Sequence, residues 1–313
     1  MIITADDLLA SIKRGGSVPT SQGRFSAEDM LALADEETAS RIVPLIKSLR
    51  QDYFLYTSRV STVASQAAYQ IPYRAVGGAI LDLKYCDNSS GQNLQSLSLI
   101  SSSETQDYTS SETDTGSPVA FYFKADKIVL VPAPATSGYI LEFTYECMPS
   151  DLVLLEKGLL ASAVSSTTVT TTTMPSAFTT GVYLDFVAAR GQSQVLAFEG
   201  LSTNISSTVV TFGTGVVPSD FAIGDYLCIA GQSCVLQIPR EARPLLALCV
   251  QSRLMEAIGD FDAFQAIESK VQKKMDALRT LLAPRVVKEP SVIKGGLRPG
   301  TLTGRSGIWR YRQ

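Results

Sequence analysis

Histidine is absent from all 313 residues. This removes the commonest general base, the commonest metal ligand and every triad built on imidazole. Cysteine is sparse: five residues, at 86, 147, 228, 234 and 249, never spaced as CxxC. An odd number without metal-type spacing reads as reduced core thiols, not as a disulfide framework or a zinc site. Cys228 and Cys234 are the closest pair, six apart in strand-like sequence. Neither GxSxG nor HExxH occurs, and Gly77-Gly78 and "FGTGVVP" (212–218) match no phosphate-binding loop or dinucleotide fingerprint. Those glycines read as turns or bulges. No catalytic, cofactor-binding or metal residue is assigned, and no enzyme is expected.

Positive charge is scarce along most of the chain. From Arg285 onward there are seven Lys/Arg and one acid, Glu289, which leaves 20 basic and 29 acidic side chains in the first 284 residues. A body of net −9 does not attract nucleic acid along its surface, because phosphate binding needs clustered cations. The segment "RVVKEPSVIKGGLRPGTLTGRSGIWRYRQ" (285–313), at net +6, is different. It is rich in glycine, proline and arginine, and it carries the single tryptophan, Trp309.

Long apolar runs are missing as well. The longest stretch without charge, Gly158 to Leu184, is full of Ser and Thr, which suits strands better than a lipid-spanning helix. The opening "MIITADDLLASI" places two acids where a secretory signal would be basic, so no signal peptide is expected. The Asn88 and Asn204 Asn-X-Ser matches then read as accidental.

What is present is ordered periodicity, supported by a hydrophobic fraction of 45%, enough for sizeable cores. "TADDLLASIKR" predicts a helix capped by Thr4 and stopped at Gly15-Gly16. Ser26 and Asp29 form capping-box spacing for a second helix, predicted over about 27–56 and bent at Pro44, with Ile42, Ile46, Leu49, Tyr53 and Tyr56 on one face. The tyrosines of "DYFLYTS" and "YQIPYRAVGG", with Arg59 and Arg74 nearby, suggest base stacking, but Tyr53 and Tyr56 continue the helix's apolar face, which makes core packing the expectation. The acidic groups Asp6-Asp7, Glu28-Asp29 and Asp35-Glu36-Glu37 read as helix-start carboxylates that complement the dipole.

From about 58 to 147 the period changes to two, with a hairpin expected at Ala125-Asp126 and a long mobile loop over 101–117. A second β block from about 159 to 238 has strands at roughly ten-residue spacing, as in a small sandwich or barrel. Helical pattern returns with Leu246, Val250, Leu254 and Ile258, then Phe264, Ile267, Val271, Met275, Leu278 and Leu282, ending at Ala283-Pro284. The expected fold class is α+β: a helical bundle from residues 1–57 and 239–283, β modules at 58–150 and 151–238, and an extended arm at 284–313.

The ordered stretches "RFSAEDMLALADEETASRIVPLIKSLRQDYF", "YQIPYRAVGGAILDL", "SPVAFYFKADKIVLVPAP", "LEFTYECMPSDLV", "IGDYLCIAGQSCVLQIPREARPLL" and "LLAPRV" resemble those of the head-to-tail adaptor (connector or neck) proteins of tailed bacteriophages. The resemblance implies a structural, non-enzymatic protein made in the host cytoplasm. It would form a homo-oligomeric ring, usually twelve-fold, in the virion neck beneath the portal protein. The ring would join the portal to the tail or the next neck protein, with genomic DNA passing through the bore and no membrane contact. It also implies that the C-terminal arm docks on the portal. Arg285, Lys288, Lys294, Arg298, Arg305, Trp309, Arg310, Tyr311 and Arg312 are the candidate contacts, since aromatic and Arg side chains dominate interface hot spots. Another tail, baseplate or fibre-attachment component, or a DNA-binding protein using the basic arm, are the alternatives.

Overall fold

The computed structural model describes residues 3–15, 25–50, 52–108, 114–190 and 195–282. It is mixed α+β, with five α-helices among the described residues and many strands, some of which close a six-stranded barrel.

α1 (Ala5–Gly15) starts where expected. Thr4 Oγ1 accepts from the Asp7 amide, and the Asp7 carboxylate accepts from the Ile3 and Thr4 amides. α2 (Ala27–Glu37) opens on the expected Ser26–Asp29 capping box. A π turn over Thr38–Ile42 then leads into α3 (Val43–Leu49). Pro44 explains the π turn: it has no N–H to give the preceding turn, and its ring crowds that turn's carbonyls. One extra residue relieves the conflict, with the Val43 amide donating to the Thr38 carbonyl five residues back.

The helix predicted to reach residue 56 stops at Leu49. Arg50 turns extended (φ −144°, ψ 93°), Tyr53 lies in a turn and Tyr56 enters a strand. Tyr53 and Tyr56 keep a helical three- and four-step spacing, but strand pairing of Leu55–Ser61 overrides it. The Asp35-Glu36-Glu37 group likewise lies in the last turn of α2, not at a helix start. There it complements no dipole, and Asp35 and Glu37 are used in tertiary contacts.

The next strands are β1 (Leu55–Ser61), β2 (Ala68–Gln70), β3 (Ala75–Cys86), β4 (Gln95–Ser96), β5 (Ser98–Leu99), β6 (Thr115–Gly116), β7 (Ala120–Lys124), β8 (Lys127–Val131), β9 (Ala133–Pro134) and β10 (Ile140–Cys147). One sheet runs β1-β10-β3-β4 and a second β2-β8-β7-β5. Leu83, Tyr85, Phe121, Leu130, Leu141 and Phe143 belong to one buried apolar cluster that spans both sheets. The hairpin turns at Ala125-Asp126 as predicted, with Ala125 at φ +54° and Lys124 opposite Lys127. Gly77 and Gly78, both at positive φ, sit inside β3. The stretch 101–117, expected as a loop, contains a 3-10 helix at Ser102–Asp107, fixed by a Ser101–Glu104 capping box, and β6. Residues 109–113 lie outside the described residues.

After β11 (Asp151–Leu152) come β12 (Leu159–Val164), β13 (Thr168–Thr171), β14 (Tyr183–Val187), β15 (Val195–Ser206), β16 (Val209–Phe212), β17 (Tyr226–Ile229) and β18 (Gln232–Ser233). The barrel closes in the order β12-β13-β16-β15-β14-β17. Phe186 fills its interior, with the rings of Phe212 and Phe221 at 5.0 and 5.1 Å.

α4 (Arg243–Ile258) and α5 (Phe261–Leu282) are the last two helices among the described residues. Leu246, Val250 and Leu254 of α4 are buried in the same apolar cluster as Leu8 and Ile12 of α1, Leu31 of α2, Ile46 of α3 and Val271 and Leu278 of α5. Gln251 Nε2 donates to the Ser11 and Ile12 carbonyls, satisfying acceptors that the end of α1 leaves open. Gly15 makes room for this, since a Cβ there would meet Gln251 Nε2 at 2.3 Å.

Candidate assembly interface

Side chains far apart in sequence join the two-sheet region to the barrel. Arg74, in the turn before β3, sends Nη2 to Asp185 Oδ2 on β14 at 2.6 Å and Nη1 to Ser150 Oγ at 2.9 Å. Its Nε donates to the Tyr73 hydroxyl at 2.9 Å, and its guanidinium lies 4.3 Å from the Phe198 ring centroid. Asp185 is fully buried and also accepts from the Glu199 and Gly231 amides at 3.0 and 3.1 Å. Burial pushes the Asp185 carboxyl up, against the pull of these donors. Burial also works against the charge of Arg74, but Asp185 and Tyr73 overcome it and hold the guanidinium above its ordinary value. Three donors within 3.1 Å mark the carboxylate as the ionised partner of a hydrogen-bonded pair.

The same corner carries an apolar cavity of about 80 Å³, lined by Tyr53 and Phe54, by Tyr56 and Cys147 of the first sheet, and by Val195 and Phe198 of the barrel. The Tyr56 ring packs edge-on to Phe198 at 4.6 Å and Tyr145 at 5.9 Å. Burial lifts the Cys147 thiol to about 12, which keeps it protonated and unreactive. Tyr53 and Tyr56 are therefore packing residues, as expected, although on a turn and a strand instead of a helix. Arg59 pairs with Glu142 across β1 and β10 at 2.8 Å.

Tyr73 differs from its neighbours. Its hydroxyl is bound by Arg74 and by the Glu199 side chain, yet the residue is 69% exposed. An aromatic ring pinned at its polar end and open to solvent is preorganised for contact. Tyr183 and Leu201, opposite one another in the β14–β15 register, are also exposed on the barrel. Other exposed apolar side chains are Leu99, Val119 and Phe123 of the second sheet region, and Phe261 and Leu281 of α5.

A second junction ties α2 to the strands. Both Asp35 carboxylate oxygens lie within 3.1 Å of the Leu152 amide of β11. Burial raises the Asp35 carboxyl to about 7, the Leu152 amide opposes the shift and Asp151 adds to it. Glu37, 1% exposed, receives Arg253 of α4 at 2.7 Å and Arg41 at 3.1 Å, and Arg41 continues to Glu268 of α5 at 3.2 Å. These acids hold elements together and carry no reactive geometry.

Among the described residues, no group of three His, Cys, Asp or Glu side chains could hold a metal ion. No described helix is long and apolar enough to cross a membrane. The candidate arm contacts, Arg285 to Arg312, lie outside the described residues. Sequence reasoning missed Asp185, Ser150 and Gln251 and gave Arg74 and Glu37 other roles, because these contacts arise between segments 70 or more residues apart.

The SU10 adaptor protein family model matches residues 3–196, more than half of the chain. This chain belongs to that family. It is a bacteriophage adaptor protein, as the resemblance in its ordered stretches implied. The match runs through α1, α2, both sheets and the Arg74–Asp185 junction, and ends at the start of β15. No curated protein matches the chain.

Proposed function

We propose that this adaptor is a structural ring subunit of the virion neck, seated beneath the portal protein and joining the capsid to the tail. The family match carries the reading. The acidic body supports it, because a channel wall that gripped phosphates would slow DNA sliding through the bore. Residues 1–57 and 239–283 act as one helical core from which modules 58–150 and 151–238 project, a division supported by the apolar cluster that draws on both ends of the chain. Pinned Tyr73 and exposed Tyr183, Leu201 and Phe261 suit the lateral contacts that a closed ring of heterologous interfaces needs.

In this reading the arm, residues 284–313, docks on the portal through Arg285, Lys288, Lys294, Arg298, Arg305, Trp309, Arg310, Tyr311 and Arg312. Fully extended, an arm of this length reaches up to roughly 100 Å, enough to span a neighbouring ring. The test is negative-stain imaging of the full chain and of residues 1–283 with portal rings. The full chain should decorate the portal, and the truncated chain should stay folded but remain unbound. Normal decoration by the truncated chain would rule out the arm as the anchor. Attachment seen below the neck in virions would favour a tail or baseplate component instead.

A further inference from the structure

Cys228 on β17 and Cys234 just after β18 face each other across the turn at Ala230-Gly231, where Gly231 takes φ +91°. The Cys228 thiol donates to the Cys234 sulfur across 3.7 Å, and both residues are fully buried. Space is reserved for this pair: a Cβ on Gly158 would lie 2.6 Å from Cys234 Sγ. Val187 and Val235 complete the buried cluster around the thiols, with Ile3, Val153 and Leu155 packed against it. Cys228 belongs to the barrel wall. The Cys234 carbonyl accepts from the Ala5 amide at 2.9 Å, and Val235 bridges Thr4. The two sulfurs therefore sit where the barrel meets the first turn of α1.

We propose that Cys228 and Cys234 are a dithiol modification site, oxidised by a low-molecular-weight disulfide to an internal disulfide that closes the turn between β17 and β18 beside the start of α1. In the first step, the thiolate of one cysteine attacks a sulfur of oxidised glutathione. A mixed disulfide forms and one glutathione thiolate leaves. The second cysteine then attacks the protein sulfur of that mixed disulfide and expels the second glutathione. Two protein thiols lose two electrons and two protons, and the oxidant becomes two glutathione thiols. Closing 3.7 Å to a bond of about 2 Å takes side-chain rotation across the turn. The hydrogen-bonded contact between the two sulfurs, together with burial, holds Cys234 protonated in the closed fold. Exchange therefore runs through local opening and is slow. A reducing compartment keeps the pair open and an oxidising one closes it.

The experiment takes the full chain, reduced and then freed of reductant, into oxidised glutathione with and without mild urea. Samples are quenched in acid, alkylated under denaturation and mapped by mass spectrometry. The expected product links 228 to 234, with Cys86, Cys147 and Cys249 alkylated. It forms faster in urea and unfolds roughly 4 °C higher than the reduced chain. Cys228→Ala and Cys234→Ala should each abolish the linkage; the mapping itself uses the unmodified sequence and does not depend on how these variants fold. Five alkylated thiols after the urea arm, a glutathione-capped chain without the internal bond, or a different pairing would each overturn the proposal.

Discussion

Arg74 and Asp185, 111 positions apart, form an ion pair at 2.6 Å with neither side chain more than 7% exposed. Each charge has lost its water, and each is compensated only by the other and by fixed donors or acceptors. Asp185→Ala leaves a buried guanidinium without its anion. It should lower the unfolding free energy by about 3–5 kcal/mol in urea denaturation. The double variant Arg74→Met, Asp185→Leu should recover the part of that loss that lies in the orphaned charge, while the Glu199 and Gly231 amides still lack their acceptor. Full additivity of the two single losses would contradict this account.

Asp35 gives the fold a pH dependence of unusual sign. Its carboxyl is raised from 3.8 to about 7, chiefly by burial. The folded chain therefore holds this proton where the unfolded chain has released it. Its contribution is complete below the unfolded value and is lost as pH climbs towards 7. Denaturation midpoints should be higher at pH 5 than at pH 8. Asp35→Asn should remove the Asp35 share of that slope, since an amide oxygen still accepts from Leu152 and carries no charge.

Gly200 leaves room for the Phe186 ring inside the barrel. A Cβ there would lie 2.6 Å from a Phe186 ring carbon and 3.0 Å from Val216. Phe186 is fully enclosed and cannot yield. Gly200→Ala should therefore destabilise the protein by about 1–3 kcal/mol. Pairing it with Phe186→Leu, which vacates the ring volume, should cost less than the sum of the two. A strictly additive thermal shift would show that the clash is relieved elsewhere.

How far the sequence revealed this architecture depended on the range of the interaction. The Ser26–Asp29 box, the Ala125-Asp126 hairpin and the apolar faces of α4 and α5 were legible because each depends on residues within a few positions. The extent of the helix after Pro44 was not. Tyr53 and Tyr56 continued a helical spacing, and only pairing of β1 with β10 could show that the chain had left the helix. Asp35 and Glu37 looked like helix-start acids until Leu152 and Arg253 supplied their partners. Arg74 gave no local sign of burial. Cys228 and Cys234 were recognisable as the closest pair, but their facing sulfurs depend on a turn that the spacing does not specify. Adaptor family membership was legible from the order of whole segments, which is why it survived the local errors.

The arm provides the last prediction, and it separates a protein anchor from a nucleic-acid one. If Trp309 and Tyr311 fill portal pockets, Trp309→Ala should weaken binding to portal rings about 30-fold, the loss expected for an aromatic hot spot. That loss should be the same at low and high salt. Replacing Arg310 and Arg312 by glutamine should act mainly on the rate of association and flatten its salt dependence. If the arm instead binds DNA through its charge, the pattern reverses. The arginine variant then loses DNA affinity with a salt slope reduced by about one per charge, and the tryptophan variant changes little. Interferometry on immobilised portal rings and on duplex DNA, at two salt concentrations, reads both patterns. Unchanged portal binding by Trp309→Ala would remove the aromatic anchor from the proposal.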